Sequence, residues 1–297
     1  MTASILCVGI VTWDSIYRVP HVPPAPNKVP ARDCVQIGGG MAASAAVAVS
    51  RLGGKATFWG RSGDDVTADL IFNELAAEGV DVSAVRRVPG RRSPVAAILV
   101  DDAGERLVVP YYDQALDRDP SWLPVDRLKS FDGMLVDVRW LEGATRALEA
   151  ARAAGLPAML DADIAPPEVL ATLIPRAHHV VFSEPALAAY AGVDDVAAAL
   201  TRIGPVVPGV VGATAGERGF FWRDGPRIGH VPAPKVEVID TLGAGDVFHG
   251  AMMLGLAEGR TVADAARFAA VAASLKCARF GGRSGCPSRA EVEAHRD

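Results

Sequence analysis

The sequence predicts an α/β protein built on a doubly wound, mostly parallel sheet flanked by helices, with a small β-sheet lid standing off it. Three observations carry that prediction. Short, wholly apolar runs recur along the chain, as strands buried on both faces require. Between them lie segments with apolar residues at three- and four-residue spacing, so strands and helices alternate. Two segments near the N-terminus break the alternation with prolines and a hairpin signal.

The strand candidates are SILCVGIV at 4–11, ATFWG at 56–60, GMLVDV at 133–138, PAMLDAD at 157–163 and HVVFSEP at 179–185. The helix candidates are 68–79, 144–155 and 262–278, two of them followed by a glycine stop. Residues 93–112, SPVAAILVDDAGERLVVPYY, alternate apolar and polar positions around Asp102-Ala103-Gly104, which predicts a hairpin. Residues 15–37 are punctuated by prolines and predict edge strands joined by a rigid loop. A single domain over 1–297 is therefore expected, with lid segments at about 15–36 and 92–113.

Composition narrows the function. The formal net charge is -5 with both signs interspersed, so no basic face suits a nucleic-acid backbone. No apolar segment reaches the roughly 18 residues of a membrane span, and no basic region precedes the first apolar run. Cys7, Cys34, Cys277 and Cys286 form no CxxC pair, which argues against a zinc site or disulfide framework and for a cytoplasmic protein with reduced thiols.

The sharpest chemical signal is VIDTLGAGDVFHGAMMLGLAEG at 238–259. Gly243, Ala244 and Gly245 precede a helical run, where backbone N–H groups converge on an anion. A carboxylate beside such a hole repels a phosphate, so Asp246 needs another reason to be there. Either it caps the helix, or it is a general base that takes a proton from a hydroxyl attacking a phosphoryl group. IGGGMAASAAVAVSRLGG at 37–54 raises a dinucleotide alternative, since Gly38, Gly40 and Ala43 satisfy GxGxxA. About 20 residues later, however, Arg61 stands where an acidic ribose partner belongs.

DTLGAGDVFHGA resembles the DTxGAGDxFxGA signature of the ribokinase-like PfkB carbohydrate kinases. CVGIVTWD, GGGMAASAAVAVSRLG, GRSGDDVTADLIFNELAAEGVD and ATAGERG fit the same family in the same order. The resemblance implies an ATP-dependent sugar kinase with Asp246 as catalytic base and Gly243, Ala244 and Gly245 as its anion hole. It implies sugar contacts from Asp14, Gly39, Gly40 and Ser44, where Asn is common in place of Ser44. It implies nucleotide contacts from Thr214, Gly216 and Gly219. An NxxE motif that organises Mg²⁺ is replaced here by Ser183, Glu184, Pro185 and Ala186, displacing the glutamate. A monovalent cation, K⁺, is implied beside the anion hole, held mainly by backbone carbonyls of Asp240, Leu242, Lys276, Arg279, Gly281 and Gly285.

DVRW, LDAD, FSEP and RFAAVAASLKCARFGGRSGCP are similar to the 6-deoxy-6-sulfofructose kinase branch of that family, which phosphorylates the 1-hydroxyl of a sulfonated ketohexose. Lys28 and Arg139 would then clamp the sulfonate. Lys28 read alone is a solvated lid charge, and Arg139 a structural ion pair with a nearby Asp. Pro110 departs from the branch, standing where a hydrogen-bonding Asn is usual. Fructokinase, phosphofructokinase, 2-keto-3-deoxygluconate kinase and a non-catalytic sugar or nucleotide sensor stand as the alternatives. The hairpin, apolar on one face, leads us to expect a homodimer formed through the lid.

Overall fold

A computed structural model describes residues 2–23, 28–116 and 118–295. Its strands are β1 (Ser4–Gly9), β2 (Thr12–Val19), β3 (Asp33–Gly39), β4 (Lys55–Gly63), β5 (Arg86–Val88), β6 (Val95–Asp101), β7 (Arg106–Tyr111), β8 (Gly133–Asp137), β9 (Ala158–Ala162), β10 (His179–Ser183), β11 (Val211–Thr214), β12 (Phe220–Asp224) and β13 (Arg227–Val231). The helices are α1 (Met41–Arg51), α2 (Val66–Ala77), α3 (Leu141–Ala154), α4 (Pro167–Leu173), α5 (Glu184–Ala191), α6 (Val196–Ile203), α7 (Ala244–Ala257), α8 (Val262–Cys277) and α9 (Arg289–Ala294).

Among the described residues the main sheet runs in the order β13-β12-β11-β10-β9-β8-β1-β4-β5. Pairing is parallel from β5 through β11, and β12 and β13 extend the sheet antiparallel. The apolar runs are continuous because successive side chains enter opposite cores. Ile5, Cys7, Phe58, Leu135, Met159 and Val181 pack with α1, α2, α7 and α8. Leu6, Val8, Trp59, Met134, Val136, Leu160 and Phe182 pack with α3, α4, α5 and α6. A strand period of two thus builds two helical layers from one sheet.

The second sheet has the order β3-β2-β6-β7. Its hairpin turns at Gly104, with φ +82°, while the Asp101 carboxylate accepts from the N–H groups of Ala103 and Glu105 at 3.0 and 2.9 Å. Among the described residues of the proline-rich segment, β3 is the edge strand. β2 lies inside, parallel to β6 and antiparallel to β3, because Ile16 packs with Ile98 and Val100 in the small core that this sheet closes over Leu242 and Phe280. Residues 24–27 of the expected first lid segment lie outside the described residues.

β1 ends at Gly9, and Asp14 lies beyond it. It is the third residue of β2, in the small sheet. Pro110 lies on edge strand β7, paired with Ala96, where one side of the strand needs no donor.

Candidate active site

The parallel strands deliver polar residues to their carboxyl ends, which is where open α/β sheets hold ligands. Asp137 ends β8, Asp161 lies near the end of β9 with Asp163 just beyond it, Ser183 ends β10 and Thr214 ends β11. Asp161, Asp163, Ser183 and Thr214, together with the small sheet and the start of α7, line a cleft of about 1510 Å³, while Asp137 is buried behind it. That is more than the roughly 300–1,000 Å³ of a single small-ligand pocket, and it suits two substrates side by side.

Of the sequence-predicted residues, Asp14, Gly39, Gly40, Ser44, Arg139, Ser183, Glu184, Thr214, Gly216, Gly219, Leu242, Gly243, Ala244, Gly245 and Asp246 line this cleft. Gly243 is the N-cap of α7, with φ +76°, and the first amides of the helix open toward the cleft. Ala244 N–H donates to Thr241 O at 3.2 Å, leaving Gly245 and Asp246 to present the free helix start. Burial and the nearby Asp161 carboxylate push Asp246 well above the ordinary carboxylate range, to about 8. Asp161 is itself raised, by burial first and then by Asp163, and its Oδ2 has no hydrogen-bond partner. His249 stands one turn along α7, with Nδ1 2.7 Å from Gly245 O and 3.3 Å from Asp161 Oδ2. Burial lowers its proton affinity, which the charge of Asp246 partly restores.

On the acceptor side, Thr12 Oγ1 donates to Asp14 Oδ1 at 2.7 Å, and burial raises the Asp14 pKa. The triple glycine is needed for close approach inside the protein. A Cβ on Gly39 would fall 1.9 Å from Asp14 Oδ2, and one on Gly40, at φ +92°, 2.6 Å from the Ile10 carbonyl. Ser44 is buried on α1. The strand before this loop is β3 of the small sheet rather than a strand of the main sheet, so the helix start does not have the βαβ context of a dinucleotide site.

Sequence reasoning missed the residues that hold these pieces together. Asp137 is fully buried and accepts from Ile10 N at 2.8 Å, Ala42 N at 3.1 Å and Arg139 N at 2.9 Å, joining the ends of β1 and β8 to the start of α1. Glu74 accepts from Gly38 N at 2.6 Å and from Arg283 Nη2 at 2.9 Å, tying the glycine loop to the C-terminal loop. The signal of Asp137 was legible in part: VDVR places a carboxylate where an apolar run ends.

Arg139 lines the cleft, but its Nη2 donates to Asp163 Oδ2 at 3.2 Å and its Nη1 to Ile164 O at 3.0 Å, the ion-pair reading of this residue. Lys28 is exposed on the loop between β2 and β3 and does not line the cleft, so the two-cation clamp is not assembled here.

At the nucleotide end, Thr214 Oγ1 donates to Phe182 O at 3.3 Å, and Ser183 Oγ to Asp163 Oδ1 at 3.0 Å. Glu184 is ion-paired with Arg218. Ala270, Ala273, Ser274 and Cys277 of α8 and residues 232–236 also line the cleft. Among the described residues no three His, Cys, Asp or Glu side chains form a metal cluster. Asp163 and Glu184 still fit a Mg²⁺ that keeps its waters and binds mainly to phosphate.

The residues expected around a monovalent cation do come together, but they do not fit a further ion. Lys276 is fully buried and its Nζ lies 2.6 Å from Asp240 O and 3.2 Å from Asp240 Oδ2. A ring of carbonyls was expected, and the lysine side chain takes up one of them, that of Asp240. A second cation about 4 Å from this ammonium would be repelled by about 4 kcal/mol at an effective dielectric near 20.

With this geometry in view, the comparisons are specific. The family described as pfkB family carbohydrate kinase matches residues 2–289. A ribokinase of Bacillus subtilis (strain 168) is 28% identical over 299 residues, covering 98% of each chain. A fructokinase of Klebsiella pneumoniae is 31% identical over 245 residues, covering 75% of this chain and 78% of its own. A solved structure from Agrobacterium tumefaciens, provisionally called a ribokinase, is 42% identical with a TM-score of 0.96, over 100% of this chain and 98% of the other. The chain belongs to the PfkB family of carbohydrate kinases, phosphotransferases that act on sugars, and it has their ribokinase-like fold.

Proposed function

We propose that this enzyme transfers the γ-phosphoryl group of ATP to a hydroxyl of a ketohexose, the 1-hydroxyl of 6-deoxy-6-sulfofructose being the acceptor the sequence resemblance favours. The observation that carries the reading is one cleft in which Asp246 sits at the amide-rich start of α7, with Asp14 and the glycine loop on the acceptor side. Asp14, Ser44 and the backbone at Gly39 and Gly40 orient the sugar. Asp246 takes the proton of the attacking hydroxyl, that oxygen bonds to the γ-phosphorus, and ADP leaves. The amides of Gly245 and Asp246 stabilise charge on the transferring group, an electrostatic contribution of the kind worth about 10²–10³ in rate per donor. Thr214, Gly216 and Gly219 hold the nucleotide. Mg²⁺, when bound with ATP through waters near Asp163 and Glu184, neutralises phosphate charge.

The anionic-sugar reading is supported by the Arg139 guanidinium on the cleft wall, free to exchange Asp163 for a sulfonate. A second reading, a neutral pentose or hexose, is favoured by that same ion pair and by Lys28 lying outside the cleft. A panel of sulfofructose, fructose 6-phosphate, fructose, 2-keto-3-deoxygluconate and ribose, with ADP release as readout, separates them. The highest kcat/KM on sulfofructose supports the first reading, and preference for fructose or ribose removes it. We further propose a homodimer formed through β7, whose exposed Leu107, Val108, Val109 and Tyr111 suit pairing of two small sheets.

A further inference from the structure

Lys276 stands in the last turn of α8, a helix whose first turn is half-buried, yet its side chain is fully buried. Taking an ammonium out of water costs several kcal/mol unless its partners are well placed. The partners here are both oxygens of one residue: the Asp240 carbonyl at 2.6 Å and carboxylate Oδ2 at 3.2 Å. Asp240 is in turn a junction. Its Oδ1 accepts from Leu242 N at 2.8 Å, at the approach to the anion hole, and its Oδ2 accepts from Gly281 N and Gly282 N, each at 3.0 Å. The backbone at Ile239 and Asp240 closes the junction by donating to Cys277 O at 2.8 and 3.1 Å.

We infer that the Lys276 ammonium is a resident cation that takes the place of a diffusible monovalent ion, holding Asp240 and through it the start of α7, so that phosphoryl transfer is independent of K⁺. The inference rests on residues 243–246 being the anion hole. An ammonium and K⁺ ask for the same thing, a few oxygens with partial or full negative charge. A tethered ammonium is present at every salt composition and needs no binding step. Lys276 is a positioning residue, since it does not line the cleft and acts through Asp240.

The test compares wild type and Lys276→Ala in KCl and in choline chloride at equal ionic strength, reading melting temperature and steady-state kinetics on the best sugar of the panel. Wild type is expected to show the same melting temperature and kcat in both salts. Lys276→Ala is expected to melt lower in choline chloride and to lose about tenfold or more in kcat, with sugar KM little changed, as loss of charge support at an oxyanion site does. KCl is expected to restore both. A wild type that gains several-fold in kcat, or several degrees, from K⁺ overturns the inference. So does a folded Lys276→Ala as active as wild type in choline chloride. If Lys276→Ala does not fold, the wild-type salt comparison still decides. If no sugar is turned over, the kinase reading fails while the melting comparison still reports on Lys276.

Discussion

At the scale of single residues, Asp246 is the group whose environment and role agree most closely. A base near the operating pH is the efficient one, and burial with Asp161 beside it brings Asp246 to about 8. Asp246→Asn is expected to keep the fold and lower kcat by several orders of magnitude, measured by ADP release, and a near wild-type rate removes the assignment. The same shift has a stability consequence. Because the folded protein holds this proton more tightly than the unfolded chain, the native state binds more protons between the ordinary carboxylate range and about pH 8. The contribution is present at low pH and is lost as pH rises through 8. Thermal melts of wild type should therefore fall between about pH 5 and 8 more steeply than those of Asp246→Asn, by up to one proton of linkage, and run parallel to them above that window. Arg139, paired with Asp163 on the cleft wall, is where the choice between acceptors can be tested. Arg139→Ala should raise KM for a sulfonated or phosphorylated sugar by about 10-fold or more, the loss of one charge-assisted pair, and leave KM for fructose nearly unchanged. Equal effects on both sugars reduce Arg139 to its ion pair with Asp163.

At the scale of elements, the loop between β3 and α1 shows how close packing fixes the acceptor side. Gly40→Ala would force a methyl group into a left-handed backbone and against the Ile10 carbonyl, a loss of about 1–3 kcal/mol visible as a lower urea midpoint. Gly39→Ala would instead displace the Asp14 carboxylate, raising KM for the sugar while KM for ATP stays put. How much was legible in the sequence follows the same division between local and distant. The helix start that carries Gly243 to Asp246 was legible because these residues are adjacent in the chain. Strands β1, β4, β8, β9 and β10 were legible because burial on both faces leaves an unbroken apolar run. The contacts Asp137 to Ala42, Glu74 to Gly38 and Lys276 to Asp240 were not, since they join residues dozens of positions apart through the sheet order. A lysine inside a helical pattern carries no mark of which way its side chain turns. Lys28 misled for the related reason that a loop's letters do not say where the loop goes.

At the scale of the whole molecule, the two walls of the cleft rest on cores of very different size. The main sheet and α7 share a large core, whereas the small sheet has a core of only a few side chains, centred on Ile16, Ala96, Ile98 and Val100. Arg106 of β7 reaches the Thr241 hydroxyl beside the anion hole, so a motion of this sheet would be felt at the phosphoryl end. An isolated sheet of four short strands with an apolar edge gains from a partner that covers that edge. β7 pairs with β6 on one side only, and Leu107, Val109 and Tyr111 are among the most exposed large apolar residues described. Two copies meeting through β7 would bury these residues and hold each lid against its twin, which links assembly to catalysis. Sedimentation velocity should find a dimer for wild type and a monomer for Leu107→Lys/Val109→Lys, with sugar KM rising in the variant more than KM for ATP. A monomeric wild type, or a charged variant that still sediments as a dimer, places any self-association elsewhere and leaves the lid to close on its own.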